Sequence, residues 1–352
     1  MTSFINKKTI IGLVLLTGFI ATNWYWLDYR SFVKTPIDFS EHLIFTVSNG
    51  ENISTLANQL TAKGLIPDAW YLKLLIKFRP ELAKLKVGEY QLEKQMRPEA
   101  LLQRLTSGAV IQYEFTIIEG QTFIQVLQNL SKQERLQSLD SFSDQDLDYS
   151  IAKLASQLNI AQDNPEGWFF PDTYFYSKGE SSFSLLRRAV KKMQSLLQTE
   201  WENKEKNLPY KSAYEALIMA SIIEKETGIA SERAKIAGVF VRRLNKQMRL
   251  QTDPTVIYGI GVNFDGNITR RHLKTVTPYN TYVIKGLPPT PIATPSRESI
   301  HAALHPEAGD ELYFVADGTG GHYFSKTHEE HLKAVQRMLK RDRIKRNKTN
   351  KP

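Results

Sequence analysis

The chain has 352 residues, 24% of them charged and 11% aromatic, a balance that fits a folded body of one or two modest domains and excludes a disordered chain. Cysteine is absent, which excludes a disulfide scaffold, a thiolate metal centre and a cysteine nucleophile. The net charge of +9 is concentrated at one end: the stretch 340–352 carries seven basic residues against one acidic, with no aromatic residue among them. That stretch reads as a solvated basic tail, not as a nucleic-acid platform, which needs stacking rings between its charges.

In chain order, a short N-terminus (1–8) precedes Thr9 to Leu27, nineteen residues without a charge. At about 1.5 Å per residue this segment nearly spans a hydrocarbon core of roughly 30 Å. Lys7 and Lys8 stand before it, and Trp24, Tyr25 and Trp26 fall where an interfacial aromatic belt belongs. Ala21-Thr22-Asn23 running into three aromatic residues is a poor cleavage site, so the segment predicts an uncleaved transmembrane anchor over 9–27 in preference to a removed signal peptide. Arg30 and Lys34 nearly balance the two lysines; a short inner N-terminus with the large remainder exported is the simpler topology.

A repeat follows. Phe45-Thr46-Val47-Ser48-Asn49-Gly50, then Ile53, Leu56 and Leu60, recurs as Phe115-Thr116-Ile117-Ile118-Glu119-Gly120, then Phe123, Val126 and Leu130. Each copy predicts a short β-branched strand, a glycine turn and an amphipathic helix. After the first copy come a helical stretch from Trp70 to Phe78 and a strand-like run from Val87 to Leu92. Strand, helix, helix, strand is the order of a LysM module, which the region 43–140 resembles; such modules grip N-acetylglucosamine polymers. Plain α+β packing accounts for the same pattern. The polar, acidic run Ser141 to Asp148 reads as a loop, and the boundary of a second domain falls between about 140 and 165.

The second domain, 165–335, opens on Glu166-Gly167-Trp168-Phe169-Phe170-Pro171-Asp172-Thr173-Tyr174, whose aromatics suit either sugar stacking or a core corner. Ser212-Ala213-Tyr214-Glu215 is a capping box. The helix it starts is apolar on almost every side from Ala216 to Ile223, and so reads as buried; Gly228 offers its C′ cap. The last turn delivers Glu224 and Glu226 to the negative end of the helix dipole, beside apolar neighbours. Both effects raise a carboxyl pKa toward what a general acid needs; two solvated surface charges are the plainer alternative. A second amphipathic helix, Ser231 to Leu244, leads to Leu250-Gln251-Thr252-Asp253-Pro254, where Asp253 reads as an N-cap before proline. Tyr279-Asn280-Thr281-Tyr282 and a proline-rich run, Gly286 to Pro295, precede Tyr313 to Phe324. His322, His328 and His331 lack zincin spacing and read as a packed histidine at a glycine turn and two solvated ones, so no metal ligand is expected. Gly259, Gly261 and Gly266 do not form a dinucleotide fingerprint, and no cofactor is expected.

EGWFFPDTY, ASIIEKET, SERAKIAGVF, LQTDPTVIYG, YNTY, GLPPTPIATP and YFVADGTGGHYF, in this order, resemble the YceG-like endolytic murein transglycosylases across about Thr46 to Leu332. The resemblance implies an α+β chain with an N-terminal transmembrane helix, a LysM-like module and a mixed α+β catalytic domain. It implies a lyase of the cell inner membrane, its catalytic domain in the periplasm, that cuts the β-1,4 bond between N-acetylmuramic acid and N-acetylglucosamine within nascent peptidoglycan strands and leaves 1,6-anhydro ends. Peptidoglycan strands would be its substrate, and peptidoglycan synthases at the membrane a further partner. The catalytic glutamate falls in Glu224-Lys225-Glu226; Glu226, followed by Thr227 as in the Glu-Ser pair of lysozyme-like transglycosylases, is the choice, with Glu224 as the fallback. Gln251, Asp253, Tyr279, Asn280 and Tyr282 are the candidates for lining the sugar groove. A hydrolytic muramidase with Asp253 or Glu232 as second carboxylate, and a non-catalytic glycan-binding division scaffold, are the rival readings.

Overall fold

The computed structural model describes residues 7–39, 44–139 and 147–349. The chain forms two compact units. The first comprises Met1–Tyr113 with Arg135–Gln137 and Phe175–Glu180, and the second Glu114–Glu134, Ser138–Tyr174 and Ser181–Pro352.

The first unit begins with helix α1 (Lys7–Lys34), whose residues from Ile10 to Leu27 are exposed and whose length and apolarity suffice to cross a membrane. The same helix continues without a break into packed structure, where Tyr29 and Phe32 are buried. Strand β1 (Ile37–Asp38) follows, then β2 (Ile44–Val47), α2 (Ile53–Ala62), α3 (Ala69–Phe78), β3 (Gly88–Gln91), β4 (Gln95–Met96) and α4 (Pro98–Ser107). β2 pairs antiparallel with β3, Phe45 opposite Tyr90, and β1 pairs antiparallel with β4. The predicted strand–helix–helix–strand order is therefore present in β2, α2, α3 and β3. Asn52 caps α2 by accepting from the Ser54 and Thr55 amides, leaving Leu56 and Leu60 on its inner face against Leu72, Leu101, Leu102 and Leu105. Tyr90 is fully buried among them, and its hydroxyl donates to the Lys86 and Leu105 carbonyls, so no polar atom of the ring is left unpaired.

β5 (Tyr113–Thr116) leads to α5 (Phe123–Leu130), which opens on a Thr122–Gln125 capping box. The second copy of the repeat thus forms the predicted turn and helix, and its residues from Glu114 to Leu130 belong to the second unit. The loop read over 141–148 lies almost wholly outside the described residues, and α6 (Leu147–Gln157) begins within it. β6 (Thr173–Tyr176), α7 (Ser182–Glu202), α8 (Ala213–Glu226), α9 (Arg233–Asn245), α10 (Asp253–Ile260), α11 (Arg270–Lys274) and α12 (Arg297–Leu304) follow. The unit closes with a hairpin of β7 (Tyr313–Ala316) and β8 (His322–Ser325), then α13 (His328–Thr349). The stretch read as a basic tail is the end of α13 as far as Thr349.

α8 is the axis of this unit. Every residue from Ala216 to Ile223 is buried, with α12, α9, α7 and α10 packed around it, as the all-round apolar run predicts. Its one interior hydroxyl, Ser221, donates to the Ile218 carbonyl and accepts from the Ile292 amide at 3.0 Å, which ties the proline-rich segment to the helix. The Glu166–Tyr174 motif is a core corner: Trp168, Phe169 and Phe170 are all buried. Gly167 has φ +79°, and a Cβ there would stand 2.5 Å from Pro291 Cβ, so only glycine lets the two loops meet.

Candidate active site

At the C-terminal end of α8 the two glutamates part company. Glu224 Oε2 accepts from the Ser296 amide at 2.9 Å, from the Ser296 hydroxyl and from the Ser299 hydroxyl at 2.7 Å, which seals the N-terminus of α12. Its carboxylate is occupied in holding two helices together. Glu226 faces a cavity of about 480 Å³. Gly228 does not cap the helix; Thr227 turns into extended backbone (φ −144°, ψ 135°), and its hydroxyl accepts from the Ile229 amide. A β-branched residue with a local hydroxyl acceptor ends the helix without the left-handed turn that favours glycine.

Thr252, not Asp253, occupies the N-cap position of α10, yet its side chain caps nothing. Its hydroxyl donates instead to Glu226 Oε1. Asp253, the first residue of α10, accepts from the Tyr282 hydroxyl at 2.6 Å. Gln251 sits at φ +52°, a strained conformation for a side chain of its size, and this places it on the cavity wall. The cavity therefore brings together Glu226, Gln251, Asp253 and Tyr282. Tyr279 and Asn280 are not among its walls. Asn280 is buried, with its amide donating to the His272 and Thr275 carbonyls and accepting from the Tyr282 amide, so it shapes the loop that presents Tyr282. Tyr279 packs its ring on Tyr258 and shares a hydrogen bond with Thr290.

Other walls were not expected in the site from the sequence. Arg243 of α9 is buried, donates to the Leu250 and Leu312 carbonyls, and lies with its guanidinium 5.1 Å from the Tyr313 ring centre. The β7–β8 hairpin supplies Tyr313, Phe314 and His322, and α13 supplies His328 and His331. His322, expected merely to pack at a glycine turn, has its Nδ1 2.7 Å from Glu232 Oε2 while its amide donates to Glu232 Oε1, which fixes the ring at the cavity edge. The signal that could have found these residues is the alternation in Tyr313–Ala316 and His322–Ser325, which marks a hairpin, but the partner of that hairpin is set by tertiary packing.

Burial above all, with Asp253 adding to it, holds the Glu226 carboxyl up at about 7, against the opposing pull of the Thr252 hydroxyl, His322 and Arg243. Glu166, also fully buried, is pushed up to about 8 by burial, opposed by hydrogen bonds from the Tyr258 hydroxyl and the Phe123 and Gly167 amides. It is not part of the Glu226 cavity and joins the start of α5 to α10. Among the described residues, Glu200, His301 and His305 bring their ligand atoms within 4.8 Å of one another, lining a separate cleft. His305 Nε2 lies 3.0 Å from the Asn203 carbonyl oxygen and His301 Nδ1 2.9 Å from Glu200 Oε2, contacts that hydrogen bonds alone account for.

A carboxyl that exchanges its proton near neutrality, at the end of a buried helix and open to a polar and aromatic cavity, is the equipment of a general acid. Residues 45–337 match the family described as YceG-like, and the chain belongs to that family. It is 32% identical over 305 residues to a protein of Bacillus subtilis named endolytic murein transglycosylase, covering 83% of this chain and 84% of that one. It is 29% identical over 370 residues to the Streptococcus pneumoniae protein of the same name, covering 95% of this chain and 65% of that longer one. Among solved structures, a YceG-like protein of Listeria monocytogenes matches with a TM-score of 0.53 at 32% identity, over 83% of this chain and 98% of that one.

Proposed function

We infer that the protein is an endolytic murein transglycosylase, a lyase acting on peptidoglycan, with Glu226 as its acid and base. Family membership and the names of its relatives support the activity; the observation that carries the residue is the division of labour at the end of α8. Glu224 is engaged in three hydrogen bonds to the α12 cap, whereas Glu226 faces the cavity with a pKa near 7. An ordinary glutamic acid is protonated well under a hundredth of the time at neutral pH, and one with this pKa roughly half the time.

Glu226 donates its proton to the bridging oxygen as the bond from that oxygen to the muramyl C1 breaks. The carboxylate left behind is stabilised by the Thr252 hydroxyl and by the positive charge of Arg243. The 6-hydroxyl of the same muramyl ring then attacks C1 and gives its proton to Glu226, which restores the enzyme. No water is consumed, and the attack gains the effective molarity of an intramolecular reaction, about 10⁵ M or more when well oriented. Gln251, Asp253 and Tyr282, on the cavity wall, are the hydrogen-bonding groups we assign to the sugar hydroxyls and acetamido groups; Tyr279 and Asn280 support the loop behind them.

The β2–α2–α3–β3 order of the first unit supports a LysM-like role in gripping the strand, and the length and apolarity of α1 support a single-pass anchor; a peptidoglycan substrate would require the remainder to lie in the periplasm, on the outer face of the inner membrane. Holding strand on both sides of a bond favours internal cuts. The deciding experiment is digestion of purified peptidoglycan in heavy-oxygen water with mass spectrometry of the products. New muramyl ends should be unlabelled anhydro ends, lighter by one water than hydrolysed ends. Labelled reducing ends as the main product would make the enzyme a muramidase, with Asp253 on the same cavity as its second carboxylate.

A further inference from the structure

Eighteen exposed residues of α1, from Ile10 to Leu27, measure about 27 Å along the helix axis, close to the thickness of a hydrocarbon core. Where this stretch ends, packing begins at once. Tyr29 and Phe32 enter the core of the first unit, Phe32 stacks on Tyr71 at 4.6 Å, and Asp28 accepts from the Tyr71 hydroxyl. The unit is thus fastened to the last turns of the helix with no linker between them.

The contacts at this junction set the height of α3. Trp70, at its start, lies 6.2 Å from Tyr25 and 6.4 Å from Tyr29. Phe78, at its end, lies 6.0 Å from Trp26 and 6.0 Å from Tyr29. Trp70 and Phe78, two turns apart on α3, thus both reach the segment of α1 from Tyr25 to Tyr29, which keeps both ends of that face beside the end of the exposed stretch. The headgroup layer on each side of the core is about 5–8 Å deep. Rings about 6 Å from Tyr25 and Trp26 stand within that layer. Phe78 is 55% exposed although nothing in the unit requires an exposed phenylalanine there. Lys73 and Lys77, four apart on the neighbouring stripe of α3, are exposed, as are Arg30 and Lys34 of α1, and none of the four makes an ion pair with the described residues.

We propose that the face of α3 carrying Trp70, Lys73, Lys77 and Phe78 lies against the phospholipid surface, aromatic rings in the interface and ammonium groups among the phosphates, so that the first unit is seated on the membrane. The proposal rests on the reading of α1 as an anchor. It commits the first unit to the layer immediately above the bilayer.

The natural absence of cysteine allows a direct test on the full chain. A nitroxide is attached in turn at Phe78→Cys, Lys77→Cys, Leu16→Cys within the anchor, and Val262→Cys, which is 97% exposed, as aqueous reference. Each protein is reconstituted into phosphatidylcholine–phosphatidylglycerol vesicles, and collision with membrane-soluble oxygen is compared with collision with a water-soluble nickel chelate. The expected oxygen-to-nickel ratio at positions 77 and 78 is several-fold above that at 262, and highest at 16. The exposed Lys77 probe serves if the Phe78 substitution disturbs packing. Ratios at 77 and 78 equal to that at 262, with 16 in the hydrocarbon, would overturn the seating and leave the anchor standing. An aqueous ratio at 16 as well would remove the anchor reading and this inference with it.

Discussion

The raised pKa of Glu226 has a cost that replacement by glutamine should reveal. In the unfolded chain this carboxyl titrates near 4.5, and in the folded protein at about 7. A folded pKa above the unfolded one means that the stability contributed by the protonated form is fully present below pH 4.5 and is lost as pH rises through 7. At 1.36 kcal/mol per unit, the wild type gives up about 3 kcal/mol between pH 4.5 and pH 8. Glutamine has nearly the same shape, still accepts from Thr252, and has no charge to bury. Glu226→Gln should therefore abolish cleavage and raise Tm at pH 8.5 by about 5–10 °C, while at pH 4.5 the two proteins melt together. Calorimetry or circular dichroism at the two pH values, beside a strand-cleavage assay, measures both. A variant that melts with the wild type at pH 8.5, or below it, would refute the claim that Glu226 is held protonated at a stability cost; a folded variant that still cuts would move the chemistry to Glu224.

Three further outcomes follow from the same geometry. Thr252→Val removes the hydroxyl that stabilises the Glu226 carboxylate, a charge-assisted bond of about 1.5–3 kcal/mol, so the basic limb of kcat/KM against pH should move up by about one unit; an unmoved limb would separate Thr252 from the titrating acid. Glu224→Ala should cost about 2–3 kcal/mol in urea denaturation, because the α12 cap loses its acceptor, yet the pH profile of the surviving folded enzyme should match the wild type. Glu232→Gln should free the His322 ring and lower kcat/KM several-fold with Tm shifted by no more than a few degrees, as read from initial rates on soluble glycan strands.

What could be read from the sequence was local. The capping box and apolar run fixed α8 and put two carboxyls in its last turn, because helical periodicity and capping act within a few residues. The bonds that distinguish Glu224 from Glu226 come from Ser296, seventy-two residues away, and no local rule places a serine hydroxyl on one carboxylate in preference to its neighbour. Asp253 before Pro254 looked like a cap for the same local reason, but the chain enters α10 one residue earlier and spends the Thr252 hydroxyl on Glu226. The aromatic motif after Glu166 had equal claims as a sugar platform and as a core corner, since composition does not distinguish a buried ring from an exposed one; burial assigns it to the corner. His322 was passed over because its partner Glu232 lies ninety residues back, on a different element.

The cavity draws on Glu226, then Thr252 and Asp253, then Tyr282, then the hairpin from Tyr313 to His322, and last on Val335 of α13. A chain made from its N-terminus thus has α1, its first unit and α8 in hand well before the residues that complete the cleft. Assembly of the site is a late event: a prematurely ended product would carry Glu226 at the end of α8 with no opposite side to the cavity.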